Sequence, residues 1–209
     1  MKKVSATFLS SKDVPKDLIK LNNTDVDYIH VDFMDGKFVP NKTMPFSELK
    51  HIGEYTSKRL DVHLMVKYPS KYIPLFAELN SEFITFHIES DEDIISNLEK
   101  IKSYSIGCGL AISPDTKVNT LIPYLPYLDI ILVMSVMPGK GGQPFILETE
   151  KKLNELRKLI ESYHFNILIN VDGGVNDKTK DLCRDADILT SGSYIVNADD
   201  FQEKISSLR

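Results

Sequence analysis

The sequence predicts an α/β fold in which eight parallel strands and their connecting helices close into one (β/α)8 barrel. Short β-branched or apolar runs alternate with longer stretches whose apolar residues recur at helical spacing. This alternation is typical of parallel strands joined by right-handed crossovers. The runs Asp129–Val136 and Phe165–Val171 are apolar almost throughout, as expected for strands covered on both faces. Eight such units fit a closed barrel better than an open sheet.

The eight predicted strands are rich in β-branched and apolar residues, and each is followed by turn or loop chemistry. In chain order they are Val4–Leu9, Tyr28–Phe33, Arg59–Val66, Phe83–Ile88, Ser105–Ile112, Asp129–Val136, Asn166–Val171 and Ile188–Thr190. Apolar residues spaced three and four apart predict a helix after each strand. These helices are Pro15–Leu21, Phe46–Ile52, Lys71–Leu79, Ile94–Ile101, Lys117–Tyr124, Phe145–Tyr163, Asp177–Cys183 and Asp199–Leu208.

Composition is ordinary for a globular protein and narrows the function classes. The 209 residues carry 42% hydrophobic and 26% charged residues, and we expect a single barrel domain over residues 1–209. A net charge of −5 offers no basic field, so no nucleic-acid or membrane partner is expected. Cys108 and Cys183 have no metal-binding or disulfide spacing. Without a signal-like start or a membrane-length apolar run, a cytoplasmic, soluble protein is expected.

Four polar residues stand at the ends of three predicted strands: His30, Asp32, His63 and Asp172. His30 and Asp32 are two positions apart, so their side chains share one face of a strand, which must be the barrel interior. Two imidazoles and two carboxylates can bind one divalent ion, whereas four unpaired buried polar groups would be costly. The sequence therefore predicts a metal site at the rim. For any single residue, a hydrogen-bonded core histidine or a helix-capping aspartate is the simpler alternative.

Glycine-dense segments follow the last three predicted strands and indicate a phosphorylated ligand. They are Met137–Pro144, placed before a predicted helix, Asp172–Gly174 and Ser191–Ser193. Backbone N–H groups in such loops can face an anion without obstruction by side chains. The loops after strands seven and eight are the usual phosphate site of such barrels. One such loop alone would more often be only a turn.

Three methionines also lie at or near strand ends: Met34, Met65 and Met134. They either fill gaps in the core, as methionine usually does, or form a water-excluding lining beneath an anionic intermediate. The sequence leaves both interpretations open. His87 ends another strand, and we expect it in the pocket wall or behind the metal ligands. His51 and His164 are expected to face solvent.

Six motifs, each on its own unit, carry a resemblance to a known family. In order they read HVDFMDGKFVPN, LDVHLMV, FHIES, VMSVMPGKGGQPF, VDGG and SGS. Together they resemble the signature blocks of ribulose-phosphate 3-epimerases over essentially the whole chain. The resemblance implies a TIM barrel of the ribulose-phosphate-binding type. It also implies an isomerase that interconverts D-ribulose 5-phosphate and D-xylulose 5-phosphate in the pentose phosphate pathway, using a divalent ion such as Zn, Fe(II), Mn or Co.

The same resemblance assigns roles to individual residues. Metal ligation falls to His30, Asp32, His63 and Asp172, and the two aspartates become the acid–base pair. The methionines Met34, Met65 and Met134 become the cap over the intermediate. The implied substrate contacts are Thr7, His63, Gly139, Lys140, Gly141, Gly142, Gly173, Gly174, Gly192 and Ser193.

Two positions depart from the family pattern. The family usually has Pro-Ser-Ile-Leu-Ser near its first strand, whereas this chain has Ala6–Ser10, in which Thr7 keeps a hydroxyl. Lys140 stands where the family usually has an aromatic residue, and it could add a cation to the phosphate site or point to solvent. Both departures concern substrate choice rather than the reaction class.

The sequence keeps other interpretations open. The nearest alternative is a 3-epimerase of a ketohexose phosphate such as D-allulose 6-phosphate, and a more distant one is a non-catalytic barrel that binds a phosphorylated ligand. Decarboxylases and aldolases built on an Asp-x-Lys-x-x-Asp strand end are disfavoured, because Met34 stands two residues after Asp32. A small sugar phosphate is the expected partner, a homo-oligomer is possible, and the native metal is not fixed by the sequence.

Overall fold

Eight parallel strands close into a barrel in the computed structural model, which describes residues 1–90 and 92–209. The strands are β1 Lys3–Thr7, β2 Tyr28–Met34, β3 Leu60–Met65, β4 Ser81–His87, β5 Gly107–Ile112, β6 Ile130–Met134, β7 Leu168–Asp172 and β8 Ile188–Ser191. Each strand pairs with its neighbour in chain order, and β1 pairs with β8 to complete the ring. The predicted (β/α)8 barrel is confirmed.

Helices occupy the connections between the strands. The α-helices are α1 Val14–Asn22, α2 Phe46–Leu49, α3 Ile73–Ala77, α4 Ile94–Ser103, α5 Thr149–Ser162, α6 Ser193–Val196 and α7 Phe201–Ser207. The 3-10 helices are Ile52–Glu54, Pro69–Lys71, Val118–Tyr127 and Lys180–Cys183. In the part of the chain that the structure describes, no helix is long and apolar enough to cross a bilayer.

Two of the predicted α-helices are wrong in type. The segment Lys117–Tyr124 belongs to the 3-10 helix Val118–Tyr127, which contains Pro123 and Pro126. A proline inside an α-helix removes one backbone donor and collides with the preceding turn, so this sequence does not form a regular α-helix. The predicted helix Asp177–Cys183 is reduced to the 3-10 turn Lys180–Cys183.

The helix predicted from Phe145 begins four residues later, at Thr149. Ile146 fits the helical spacing, but its backbone N–H donates to the Ser135 carbonyl at 2.8 Å, just beyond the end of β6. This bond holds the segment before α5 against the barrel rim instead of in the helix. The glycine-dense segment after β6 therefore forms a loop of its own and does not lead straight into a helix.

Side-chain alternation divides each strand between two environments. The outward residues of β2, Ile29, Val31 and Phe33, belong to the large apolar core between the barrel and its helices. Inside the barrel, the N-terminal end is closed by a small apolar cluster of Tyr28, Phe83, Ile130 and Ile188, with Leu168 packed against it. The interior above this cluster carries polar side chains, so polar chemistry concentrates toward the C-terminal rim.

Candidate active site

The structure brings together four side chains that could hold a metal ion: His30, Asp32, His63 and Asp172. One potential ligand atom from each lies within 4.8 Å of the others. His63 Nδ1 is 3.1 Å from Asp32 Oδ1 and 3.9 Å from Asp172 Oδ2. His30 Nε2 is 3.4 Å and 3.9 Å from the same two oxygens. The strand-end pattern in the sequence therefore corresponds to a real convergence in space.

The chemistry of this donor set fits one divalent cation. His30 Nε2 is buried and has no hydrogen-bond partner among the described residues, although it points toward two carboxylates. A buried nitrogen without a partner is costly, and coordination to a cation would satisfy it. Imidazole and carboxylate ligands suit zinc, iron(II), manganese or cobalt. The four residues could thus hold a metal, while its identity is not fixed by their types.

A buried carboxylate on the neighbouring strand β3, Asp61, orients His30. It accepts a hydrogen bond from His30 Nδ1 at 2.8 Å, from Ser5 Oγ at 2.9 Å and from Asn170 Nδ2 at 2.9 Å. Because an ionised carboxylate can only accept, the His30 Nδ1 position carries the hydrogen when the ring is neutral. Neutral His30 then turns a bare Nε2 lone pair toward the other ligands, an arrangement common behind metal-binding histidines.

The two aspartates of the cluster differ strongly in their affinity for a proton. Burial and the charge of Asp32 raise the pKa of Asp172 to about 7. Burial alone would also raise the pKa of Asp32, but the charge of the nearby His30 brings it well below its usual range. Burial opposes a charge on His30 as well, yet Asp61 and Asp32 raise its pKa well above 6.5. One carboxylate is therefore ionised near neutral pH while the other can carry a proton.

A cavity of about 580 Å³ opens above this cluster at the C-terminal ends of the strands. Asp32 and Asp172 line it, whereas His30 and His63 are fully buried and are not part of its wall. The predicted substrate contacts that line it are Thr7, Gly139, Lys140, Gly141, Gly142, Gly173, Gly174, Gly192 and Ser193. The structure does not bring His63 to the cavity surface, so its contact with substrate stays a prediction.

The three methionines also line the cavity, and all are buried. Met34 and Met65 are paired across β2 and β3 and form one apolar cluster with Val39. Met134 belongs to a separate cluster on the side of β5 and β6. The apolar part of the cavity wall is therefore built from two patches, one that includes β2, the strand of Asp32, and one on β6, which pairs with the strand of Asp172.

The glycines after β7 allow a close approach of the backbone. Gly173 and Gly174 have φ angles of +119° and +64°, which side chains other than glycine rarely adopt. A Cβ on Gly174 would lie 2.6 Å from the Phe145 backbone nitrogen, and one on Gly173 would lie 2.5 Å from Val136 Cγ2. These two positions therefore require glycine, independently of any ligand.

The loop after β6 is braced by its own side chain. Gln143 Nε2 donates to the Met137 and Lys140 carbonyl oxygens, each at 2.7 Å. Asn41 Nδ2 donates to the Gly139 carbonyl from the far side of the rim, also at 2.7 Å. The Lys140 side chain is exposed at the edge of the cavity. Its ammonium group is thus available at the rim.

Sequence reasoning missed several residues that the structure places at the site. Ser10, Gln143 and Lys178 line the cavity from loops, where neither alternation nor helical spacing gives a signal. Asp61 could have been found, because it lies two positions before His63 on the same face of β3. Its role as a partner of His30 depends on the pairing of β2 with β3, which a single sequence does not show.

His87 lies behind the ligand set, one of the two positions expected for it. Its Nε2 is 2.9 Å from His63 Nε2, and its Nδ1 is 3.0 Å from Glu89 Oε2. Burial lowers the pKa of His87 to about 4 and also lowers that of His63. His51 and His164 are exposed, as predicted.

Comparison with known proteins agrees with the motif analysis. The model of the family described as "Ribulose-phosphate 3 epimerase family" matches residues 3–196. This chain belongs to that family. The ribulose-phosphate 3-epimerase of Chlamydia pneumoniae is 39% identical over 196 residues, which cover 91% of this chain and 86% of the relative. The enzyme of the same name from Helicobacter pylori is 36% identical over 211 residues, covering 99% of this chain and 96% of the relative. The predicted assignment to an isomerase family is confirmed.

Solved structures show the same architecture in more distant proteins. The 3-hexulose-6-phosphate synthase from Salmonella typhimurium superimposes with a TM-score of 0.69, covering 100% of this chain and 96% of that one. Its sequence is 16% identical, so the likeness supports the barrel fold alone.

Proposed function

We propose that this protein is a metal-dependent 3-epimerase that interconverts D-ribulose 5-phosphate and D-xylulose 5-phosphate through an enediolate intermediate. The observation that carries the proposal is the placement of Asp32 and Asp172. Both carboxylates reach one cavity beside a cluster that could hold a metal, in a chain of the ribulose-phosphate 3-epimerase family. Inversion at a carbon next to a ketone needs two acid–base groups, and this pair supplies them.

The two aspartates approach the cavity from separate parts of the ring. Asp32 is on β2 and Asp172 ends β7, with β1 and β8 between these strands. A planar enediolate held between them would present one face to each carboxyl group. One aspartate removes the proton from the first face, and the other delivers a proton to the opposite face. The roles exchange when the reaction runs in reverse.

The protonation states suit this division of work. Asp32, with a lowered pKa, is in the ionised form that a base needs, whereas Asp172, with a pKa raised to about 7, can hold the proton that an acid needs. Thr7 donates a hydrogen bond to Asp32 Oδ2 at 2.7 Å and thereby fixes the orientation of that carboxylate. A divalent ion held by His30, Asp32, His63 and Asp172 would supply positive charge that stabilises the developing enediolate.

The rest of the cavity wall could bind the phosphate group of a phosphorylated ketose. Gly141, Gly173 and Gly192 line the cavity without side chains, so backbone N–H groups in these segments could donate hydrogen bonds to a phosphate group. Lys140 and Lys178 line the same cavity and add positive charge. Binding energy from the phosphate end would hold the reacting carbon between the aspartates. The buried methionines would keep water away from the intermediate.

The decisive experiment follows solvent hydrogen into the substrate. Purified protein loaded with a divalent metal is incubated with D-ribulose 5-phosphate in deuterated water, and the products are examined by NMR. We expect D-xylulose 5-phosphate to form with deuterium at C3. A barrel that only binds the ligand would leave C3 unlabelled, and this outcome would refute the proposal. Comparing kcat/KM for ketopentose and ketohexose phosphates, including D-allulose 6-phosphate, then fixes the substrate class.

A further inference from the structure

A row of hydrogen-bonded side chains connects an outer loop to the candidate metal ligands. Glu89 Oε2 lies 3.0 Å from His87 Nδ1, and His87 Nε2 lies 2.9 Å from His63 Nε2. The other nitrogen of His63, Nδ1, faces the carboxylates of Asp32 and Asp172. Both imidazoles are fully buried, whereas the Glu89 side chain is 29% exposed. We call Glu89, His87 and His63 the imidazole relay.

The outer end of the relay determines where its hydrogens lie. An ionised carboxylate can only accept, so His87 Nδ1 donates to Glu89. Full burial disfavours a second proton on His87, which leaves its Nε2 as an acceptor. The contact between the two Nε2 atoms needs one donor, and this must be His63. The Nδ1 atom of neutral His63 then carries a bare lone pair.

This lone pair points at atoms that cannot satisfy it. Asp32 Oδ1, at 3.1 Å, and Asp172 Oδ2, at 3.9 Å, are themselves acceptors unless protonated. A cation placed among the three atoms would satisfy all of them. We propose that His87 and Glu89 are positioning residues that fix His63 in the tautomer whose Nδ1 faces the divalent ion. The inference rests on the proposed metal-dependent function.

Contacts at Glu89 and at His87 hold the relay in place. Glu89 Oε1 accepts hydrogen bonds from the Ser113 backbone N–H at 3.0 Å and from the Thr116 hydroxyl, both in the loop after β5. The Phe38 ring packs on His87, with the ring centroids 4.7 Å apart. The tautomer of His30 is fixed without such a relay, because its Nδ1 makes a direct hydrogen bond to Asp61. The two histidine ligands are thus oriented by different devices.

Metal affinity measures the proposal directly. The dissociation constant for Zn²⁺ is determined by competition with a chromophoric chelator for the wild type, His87→Leu and His87→Gln. We expect His87→Leu to bind about 10- to 100-fold more weakly, as is typical when the partner of a metal-binding histidine is lost. His87→Gln keeps an oxygen that can accept from His63 Nε2, so its affinity should stay near that of the wild type.

The matched control is Glu82→Gln. Glu82 lies at the opposite end of β4, where it pairs with Arg59, so this substitution alters the same strand far from the cavity. Its Zn²⁺ affinity should be unchanged. If the wild type binds Zn²⁺ and His87→Leu binds it equally well, the relay is refuted while the proposed function stands. If the wild type binds no divalent metal, both fail.

A spectroscopic test does not depend on a variant. Long-range ¹⁵N–¹H correlation spectra of the wild type, with and without Zn²⁺, report which nitrogen of each imidazole carries hydrogen. We expect His63 to be protonated on Nε2 in both samples. Glu89→Gln should lose this preference without metal, because the glutamine amide can also donate to His87 and reverse the relay. A wild-type His63 that carries its hydrogen on Nδ1 without metal would overturn the inference.

Discussion

The Thr7 hydroxyl donates to Asp32 Oδ2 at 2.7 Å, from the strand next to the one that carries the aspartate. The Leu9 backbone N–H donates back to Thr7 Oγ1 at 3.1 Å, which fixes the direction of the hydroxyl. The Thr7 methyl group meanwhile occupies the space beside Gly192. One residue therefore orients the proposed base with its hydroxyl and shapes the cavity floor with its methyl group.

Replacing this hydroxyl should reduce turnover more than binding. Thr7→Val keeps the shape but removes the hydrogen bond, and a bond to a charged group contributes about 1.5–3 kcal/mol. We expect kcat to fall about 10- to 100-fold, with a smaller change in KM. Thr7→Ser, which keeps the hydroxyl, should retain most of the activity. Steady-state kinetics on both variants checks this, and equal kcat values would contradict it.

Gly192 and Thr7 should be coupled. A Cβ on Gly192 would lie 2.6 Å from Thr7 Cγ2, so Gly192→Ala forces Thr7 to move and disturbs Asp32 with it. We expect Gly192→Ala to lower kcat/KM strongly, and expect Thr7→Ser, which lacks that methyl group, to restore much of it. Gly53→Ala is the control, because no described atom lies within 4 Å of its added Cβ. Additive effects in the double variant would argue against the coupling.

Removing either proposed acid–base group should separate proton exchange from inversion. Asp32→Asn and Asp172→Asn each keep an oxygen but cannot transfer the proton, so epimerisation should fall by several orders of magnitude, about 10³-fold or more. In deuterated water, each variant should still exchange the C3 proton of one epimer only. This is the epimer whose C3 proton faces the remaining aspartate. NMR of each epimer with each variant tests this. Near-normal turnover in either variant would refute the assignment.

The buried state of His87 predicts a specific pH dependence of stability. Burial lowers its pKa to about 4, below the value of 6.5 expected in the unfolded chain. Between these values the unfolded state binds more protons, so stability is fully present above pH 6.5 and is lost as the pH falls toward 4. His87→Gln should flatten this loss by on the order of 2 kcal/mol in metal-depleted protein.

Urea unfolding at a series of pH values measures this effect. Asp172, whose pKa is raised to about 7, changes stability in the opposite direction over the same range, but it is present in both proteins. At pH values above 4.5, the ordinary pKa of Glu89, that carboxylate is largely ionised in both proteins, so the difference between wild type and variant there reports on His87. Parallel stability curves for the two proteins would show that His87 does not titrate as its burial requires.

Much of the site was predictable because strands impose a simple geometry. Alternation places His30 and Asp32 on one face of β2, and the parallel arrangement brings strand ends to one rim. The partners of these residues were less accessible to sequence reasoning. Asp61 and Glu89 act through contacts across strands or beyond a strand end, and these depend on register and loop conformation. Such contacts involve few residues and leave no periodic signal.

The helices also show what apolar spacing in the sequence can predict and what it cannot. The apolar spacing of the predicted helix Phe145–Tyr163 is real, but a backbone bond from Ile146 to Ser135 delays the start of α5. Pro123 and Pro126 similarly convert a predicted α-helix into a 3-10 helix. Apolar spacing predicts which face of a segment is buried, whereas backbone hydrogen bonding decides where a helix begins and which type forms.

The four residues that could hold a metal ion come from β2, β3 and β7, and β7 reaches the other two strands only when the ring is closed. A bound ion would cross-link early and late parts of the polypeptide, which come together only in the native state. Because such an ion would bind the folded form preferentially, conformational stability would rise with the logarithm of its free concentration once that exceeds the dissociation constant. Heat tolerance and resistance to proteolysis should therefore rise and fall with the supply of the metal.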